Sequence, residues 1–205
     1  VDVGADQAGR AWDLVVEGGG ERLGVELYDA ERRKLQERRG TGGVLRGLMF
    51  DEGEIGISVS AEGAYTLRFE AAGSPDEGHE TEPNDVLFAA SPLSDELTLR
   101  GTLWPQDLDL LSFDVEGEGG LYRVQALGEG VDLLDVVDAN GRRVARATGD
   151  RRLRLDNVAL LPGSYAVRLD GNEGAYAVRV LRVGPIPPPP EPDPDEATAD
   201  LTGPD

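Results

Sequence analysis

The chain has 205 residues, with 20 Lys and Arg against 40 Asp and Glu, a single His, no Cys and a formal charge of -20. This charge repels phosphate, which excludes nucleic acid as a partner and argues against anionic membrane surfaces. The missing Cys excludes disulfides, thiolate nucleophiles and Cys-ligated zinc. Apolar residues make up 39% and aromatics 5%, which suits two modest cores rather than one large one. No apolar run approaches the roughly 20 residues of a membrane span, so membrane insertion is not expected. Acidity of this degree fits a solvated exported protein or one that gathers divalent cations. The start at Val1, without Met or a signal segment, reads as a mature product or an excised part.

Taken in chain order, Gly18-Gly19-Gly20 lacks the Lys and the helix that phosphate binding requires and reads as a loop. Leu27-Tyr28-Asp29-Ala30 returns 109 residues later as Val136-Val137-Asp138-Ala139, and Gly40 returns as Gly149 at the same spacing. Glu62-Gly63-Ala64-Tyr65-Thr66-Leu67-Arg68-Phe69 returns after 111 residues as Glu173-Gly174-Ala175-Tyr176-Ala177-Val178-Arg179-Val180. Two anchors in nearly one register point to a tandem repeat with a short indel. Ala30 to Arg39 is charged and rich in helix formers. Its counterpart, Ala139 to Thr148, contains Asn140-Gly141, so the repeat predicts a hairpin at both places. Tyr65 and Tyr176 are expected at one shared, buried strand position.

Residues 71–96 carry seven acids (Asp76, Glu77, Glu80, Glu82, Asp85, Asp95, Glu96) and no Lys or Arg, the composition of a linker. The only His, His79, falls in this stretch and reads as an isolated linker residue. Strands with period-two alternation follow: Leu97, Leu99 and Leu103; Leu111, Phe113 and Val115; Tyr122, Val124 and Ala126; Tyr165, Val167 and Leu169; Tyr176, Val178 and Val180. The turns between them include Asp138-Ala139-Asn140-Gly141, Pro162-Gly163 and Gly171-Asn172-Glu173-Gly174. The predicted class is all-β: two tandem antiparallel jelly-roll-like β-sandwich modules, the first shortened or partial, with a Pro-rich acidic C-terminal tail. The predicted division is 1–72, 73–184 and 185–205. The last of these carries six acids and the Pro187–Pro190 run of a stiff spacer.

Five motifs resemble the bacterial pre-peptidase C-terminal domain family. They are Glu80-Thr81-Glu82-Pro83-Asn84-Asp85, Gly101-Thr102-Leu103, Asp107-Leu108-Asp109 ahead of Phe113, Leu134 to Gly141, and Leu161-Pro162-Gly163-Ser164-Tyr165. The resemblance covers residues 80–183 and extends to 8–70 only through the later half of the pattern. It implies a jelly-roll-like sandwich appended to secreted proteases and other exported proteins. In some relatives such a sandwich binds calcium, and in some it grips collagen or polysaccharide. By that resemblance the calcium ligands are Glu80, Glu82, Asn84 and Asp85, with Asp107 and Asp109 adding more. The chemistry agrees, because calcium takes six to eight hard oxygens and alternate acids on an extended segment face one side. The same residues also suit a solvated linker in which Asn84 and Asp85 cap a turn. The first copy lacks an equivalent D-x-D, and no site is predicted there.

No G-x-S-x-G, H-E-x-x-H or P-loop is present and nothing places a carboxylate pair in a cleft, so no enzyme activity is expected. Two readings of function remain. One is a calcium-steadied binding or spacing module within a larger secreted protein, outside the cell, on its surface or in the periplasm. The other is a structural subunit of an extracellular fibre or surface layer. Partners would be the rest of that protein, neighbouring copies or an extracellular polymer. The inward positions of Tyr122, Tyr165 and Tyr176 weaken the polymer-gripping case; Trp104, beside Pro105 in a loop, is the best candidate for an exposed aromatic, although a core-capping role suits it better. Glu191-Pro192-Asp193-Pro194-Asp195-Glu196-Ala197 resembles the opening of a further module. This tail suits a window from a longer array, or strand donation to a neighbouring copy.

Overall fold

The structure, a computed structural model, describes residues 1–40, 43–73, 78–94 and 96–188. These form seventeen strands and one 3-10 turn, Leu87–Ala89, with no α-helix among the described residues. The first eight strands are β1 (Asp2–Val3), β2 (Ala11–Gly18), β3 (Gly24–Tyr28), β4 (Lys34–Arg39), β5 (Gly43–Met49), β6 (Gly53–Glu54), β7 (Gly56–Ser60) and β8 (Tyr65–Gly73). The remainder are β9 (Ser91–Pro92), β10 (Thr98–Leu103), β11 (Leu108–Val115), β12 (Gly120–Gly128), β13 (Val131–Asp138), β14 (Arg143–Thr148), β15 (Arg152–Leu160), β16 (Gly163–Gly171) and β17 (Gly174–Gly184).

Alternation along these strands gives each sheet one buried face. In β12 every second residue from Gly120 to Ala126 is buried, and in β2 Leu14 and Val16 turn inward. The N-terminal sheets run β5-β2-β8 and β4-β3-β7; the C-terminal sheets run β10-β17-β12-β15 and β14-β13-β16-β11-β9. The pairings are antiparallel except β9 on β11. Two separate cores result. Leu14, Val16, Val25, Leu27, Leu45 and Leu48 centre the first, and Leu103, Leu111, Val124, Leu134, Val136, Leu160 and Leu169 the second. Each fully buried Leu or Val contributes about 2 kcal/mol relative to exposure.

The two sheet pairs correspond strand for strand. The order β5-β2-β8 matches β15-β12-β17, and β4-β3-β7 matches β14-β13-β16. Local features repeat as well. Pairing shifts at Leu27/Tyr28 and again at Val136/Val137, and at Trp12/Leu14 and again at Tyr122/Val124. The Gly40 amide donates to the Leu23 carbonyl at 2.9 Å, as Gly149 does to Asp132 at 3.1 Å. Both predicted hairpins form, β3-β4 and β13-β14. The C-terminal sheets have β10 and β11 in addition, and the short β1 lies against β6 much as β11 lies against β16.

Two expectations need correction. Tyr65 occupies the strand corresponding to that of Tyr176, yet it is 48% exposed where Tyr176 is 4% exposed. The difference follows from the neighbours: β17 lies between β10 and β12, whereas β8 is the last strand of its sheet among the described residues, so no described strand flanks Tyr65 on that side. The acidic stretch read as a linker is, over 78–94, a strap bound to both sheet pairs. His79 forms a bridge with Arg100, and the Glu80 amide donates to the Arg100 carbonyl at 2.8 Å. Glu82 forms a parallel bridge with Leu48, and its carbonyl accepts from the Met49 amide at 2.6 Å. Val86 and Ala89 pack on the N-terminal core, while Leu87 and Ala90 pack on a cluster of Leu110, Val137 and Ala166. Composition misled here because the acids of the strap point into the molecule.

Candidate metal centre

The strap and β11 bring the six predicted residues into one neighbourhood, in two groups. Glu80, Glu82 and Asp109 each offer a carboxylate oxygen within 4.8 Å of the others. Asn84 joins them, its amide donating to Glu82 Oε2 at 3.0 Å and its Nδ2 to Glu80 Oε2 at 3.1 Å. Asp85 and Asp107 stand aside from this trio and are tied to Arg38: Arg38 Nη2 pairs with Asp107 Oδ1, and Nη1 lies 3.7 Å from Asp85 Oδ2.

Local sequence explains how Glu80 is held. The Thr102 amide donates to its Oε1 at 2.6 Å, and the Tyr176 hydroxyl donates to Oε2. Gly101 makes room for both, since a Cβ there would lie 2.4 Å from the Tyr176 ring and 2.5 Å from the Glu80 carboxyl carbon. The Gly101-Thr102 pair thus has a steric reason in this fold. Asp107 caps its own loop, with Oδ2 accepting from the Trp104 amide at 2.9 Å. The Asn84 carbonyl accepts from Leu110 at 3.2 Å and ties the strap to β11.

Burial and like charge govern the electrostatics. Burial, with the negative charges of Glu80, Asp107 and Glu82 beside it, pushes the Asp109 carboxyl up to about 11. Burial first, then the charges of Asp107, Glu80 and Asp85, hold Glu82 well above the usual carboxylate range. Glu80 is also raised, chiefly by burial, and Asp85 rises to about 7 for the same reason despite the opposing Arg38. Five carboxylates therefore face one guanidinium. Glu82 Oε1, Asn84 Oδ1 and both Asp109 oxygens are buried without a hydrogen-bond donor. Buried oxygens in native proteins normally have a partner. A cation would supply one to all of them, so this donor set fits a hard, oxygen-preferring divalent ion.

Three contributors were not singled out from sequence. Tyr176 holds an inward position in β17 that marks it only as core, yet its hydroxyl reaches Glu80. Gln36 and Arg38 come from the N-terminal β4, with Gln36 Nε2 donating to Glu82 Oε2 at 3.2 Å and to Asp85 Oδ1 at 3.1 Å. No motif marks these two; a Gln buried at 3% exposure on an otherwise charged strand is visible only in three dimensions. Elsewhere Asp135, 1% exposed, forms a two-bond ion pair with Arg146, with both distances at 2.6 Å.

The fold and site together define an all-β protein of paired antiparallel sheets with a buried carboxylate centre at their junction. No family model matches the chain, and no curated protein matches it. Among solved structures it is similar to the pre-peptidase C-terminal domain of a Bacillus anthracis collagenase, at 19% identity and a TM-score of 0.40, over 49% of this chain and 99% of that one. It is also similar to YhhW from Escherichia coli, at 12% identity and a TM-score of 0.24, over 86% and 74% of the two chains. A conserved Pseudomonas aeruginosa protein of unknown function aligns at 14% identity and a TM-score of 0.21, over 87% and 72%.

Proposed function

We propose that the chain is a non-catalytic, calcium-binding β-sandwich protein of the cell exterior or periplasm, built from two copies of one module spanning 1–72 and 73–184. It serves as a binding or spacing unit of a larger exported protein. The observation that carries the calcium reading is the set of buried, donor-less oxygens on Glu82, Asn84 and Asp109 beside Glu80. Glu80, Glu82, Asn84 and Asp109 are the inner ligands, and Asp85 and Asp107 form an outer ring of charge. Bound calcium would supply positive charge for buried carboxylates that otherwise stay protonated or repel one another. The matched strand orders and matched pairing shifts support duplication. Extracellular calcium modules work at around 10⁻⁴ to 10⁻³ M, so a few millimolar calcium should stabilise folding by roughly 1–2 kcal/mol. Differential scanning calorimetry in calcium and in chelator tests this. A melting temperature indifferent to calcium, or a shift retained in Asp109→Asn, refutes the reading.

A further inference from the structure

The carboxylate centre lies across a junction, and two of its side chains belong to the other side. Gln36 and Arg38 are two residues apart on β4, so they project from the same face of that strand. The carboxylates come from the strap, the β10–β11 loop and β11, beyond the first pair of sheets. Gln36 Nε2 bridges Glu82 and Asp85, while Gln36 Oε1 is buried without a donor, as Glu82 Oε1 is. A carboxamide oxygen is a neutral hard donor of the kind that calcium accepts beside carboxylates. Arg38, only 11% exposed, reaches Asp107 and Asp85 and also donates to the Gln106 carbonyl at 3.1 Å.

Resting on the calcium reading above, we propose that the ion is held across the junction, with Gln36 Oε1 as the ligand contributed by β4, so that occupancy clamps the N-terminal sheets onto the C-terminal ones. Without the ion, Glu80, Glu82, Asp85, Asp107 and Asp109 crowd one another, either holding protons or repelling, and Arg38 faces them from β4. Other ties between the two sides include the Met49–Glu82 hydrogen bond, the Arg39 amide donating to Gln106 Oε1 at 3.4 Å, the Arg46 guanidinium over the Trp104 ring and the packing of Val86 and Ala89. A cation relieves this crowding within the C-terminal side and, through Gln36 Oε1, adds a bond across the junction. Calcium then sets the stiffness of the junction as well as the stability of one sandwich.

The test uses the full chain and calcium chloride as the probe. Titration calorimetry compares wild type, Gln36→Leu and Gln36→Glu. In parallel, spin labels on cysteines introduced at Glu62 and Glu129, both exposed and in a chain with no other cysteine, report the distance across the junction. The expected result is a distance distribution that narrows when calcium binds to wild type. Gln36→Leu should bind about 10- to 100-fold more weakly and stay broad at calcium levels that saturate wild type. Gln36→Glu, which restores an oxygen and adds charge, should bind at least as tightly as wild type. Wild-type affinity and full narrowing in Gln36→Leu would overturn the clamp while leaving the calcium centre standing. If Gln36→Leu does not fold, a folded Gln36→Glu that binds more weakly than wild type overturns it. No calcium binding by wild type overturns the centre and the clamp together.

Discussion

At Asp109, burial and neighbouring charge act in the same direction, and this makes the metal-free chain sensitive to pH in an unusual sense. Its carboxyl is raised from 3.8 to about 11, and that of Asp85 from 3.8 to about 7. The folded chain holds these protons more tightly than the unfolded chain does. Their contribution is therefore fully present below about 4 and is lost as pH rises through about 7 for Asp85, and later for Asp109. In chelator, the melting temperature should fall between pH 4 and pH 8. Calcium should cancel the fall by taking the place of the protons, and Asp109→Asn should flatten it. Calorimetric scans across that range check this, and a melting temperature that climbs with pH in chelator contradicts it. A second residue-scale effect sits in the first hairpin. Arg32 has φ 62, the left-handed position that Gly141, with φ 75, takes in the corresponding turn. The left-handed region costs a side-chain-bearing residue roughly 1–2 kcal/mol, partly offset in glycine by its freer unfolded chain. Arg32→Gly should stabilise the chain by about 0.5–1 kcal/mol in urea denaturation.

At the scale of elements, β8 and β17 test what a missing neighbour costs. The two carry the same E-G-A-Y signal and pair with corresponding strands, β2 and β12. β17 also pairs with β10 along Thr98–Leu103, whereas β8 is the last strand of its sheet among the described residues. Outward amides of an edge strand exchange with solvent without opening of the sheet. Amide hydrogen exchange followed by NMR should show alternate residues of β8 exchanging at least about 100-fold faster than those of β17. Equal protection in both strands would mean that another segment or a second copy covers the β8 edge. The hairpins were legible because Asn140-Gly141 announced one and the repeat carried the other to Arg32, where local propensity favoured a helix. The exposure of Tyr65 was not legible for the converse reason: similar sequence transmits strand position but not the presence of a flanking strand.

For the whole molecule, β7 and β8 are the outer strands of their sheets among the described residues. The tail at 189–205, including the Glu191 to Ala197 motif and most of the Pro-rich run, lies outside the described residues. The buried residues that centre the two described cores all precede it. Deleting residues 187–205 should therefore leave the sedimentation coefficient characteristic of a monomer and the melting temperature unchanged. A deletion that abolishes self-association would instead assign the tail to strand donation between copies. An assembly that grows by such donation would favour the fibre or surface-layer role over that of a spacer.

The amino-acid order alone determined the all-β class, since period-two alternation and turn residues act over a few positions and need no tertiary partner. The correspondence of the two strand orders was legible too, because sequence anchors recur at spacings of 109 and 111. The neighbourhood of Glu80, Glu82, Asn84 and Asp109 was legible for a related reason: the acids crowd one short extended segment and one strand start. Which of the acids face inward together was decided by the tertiary structure. Arg38 draws Asp85 and Asp107 to one side, and Tyr176 and Thr102 hold Glu80 on the other. The part played by Gln36 likewise appeared only on folding, because it depends on β4 meeting a strap 46 residues further along the chain. Local sequence encodes the direction in which a side chain leaves its strand; what it meets there depends on how separate sheets pack, and buried charge is settled at that meeting.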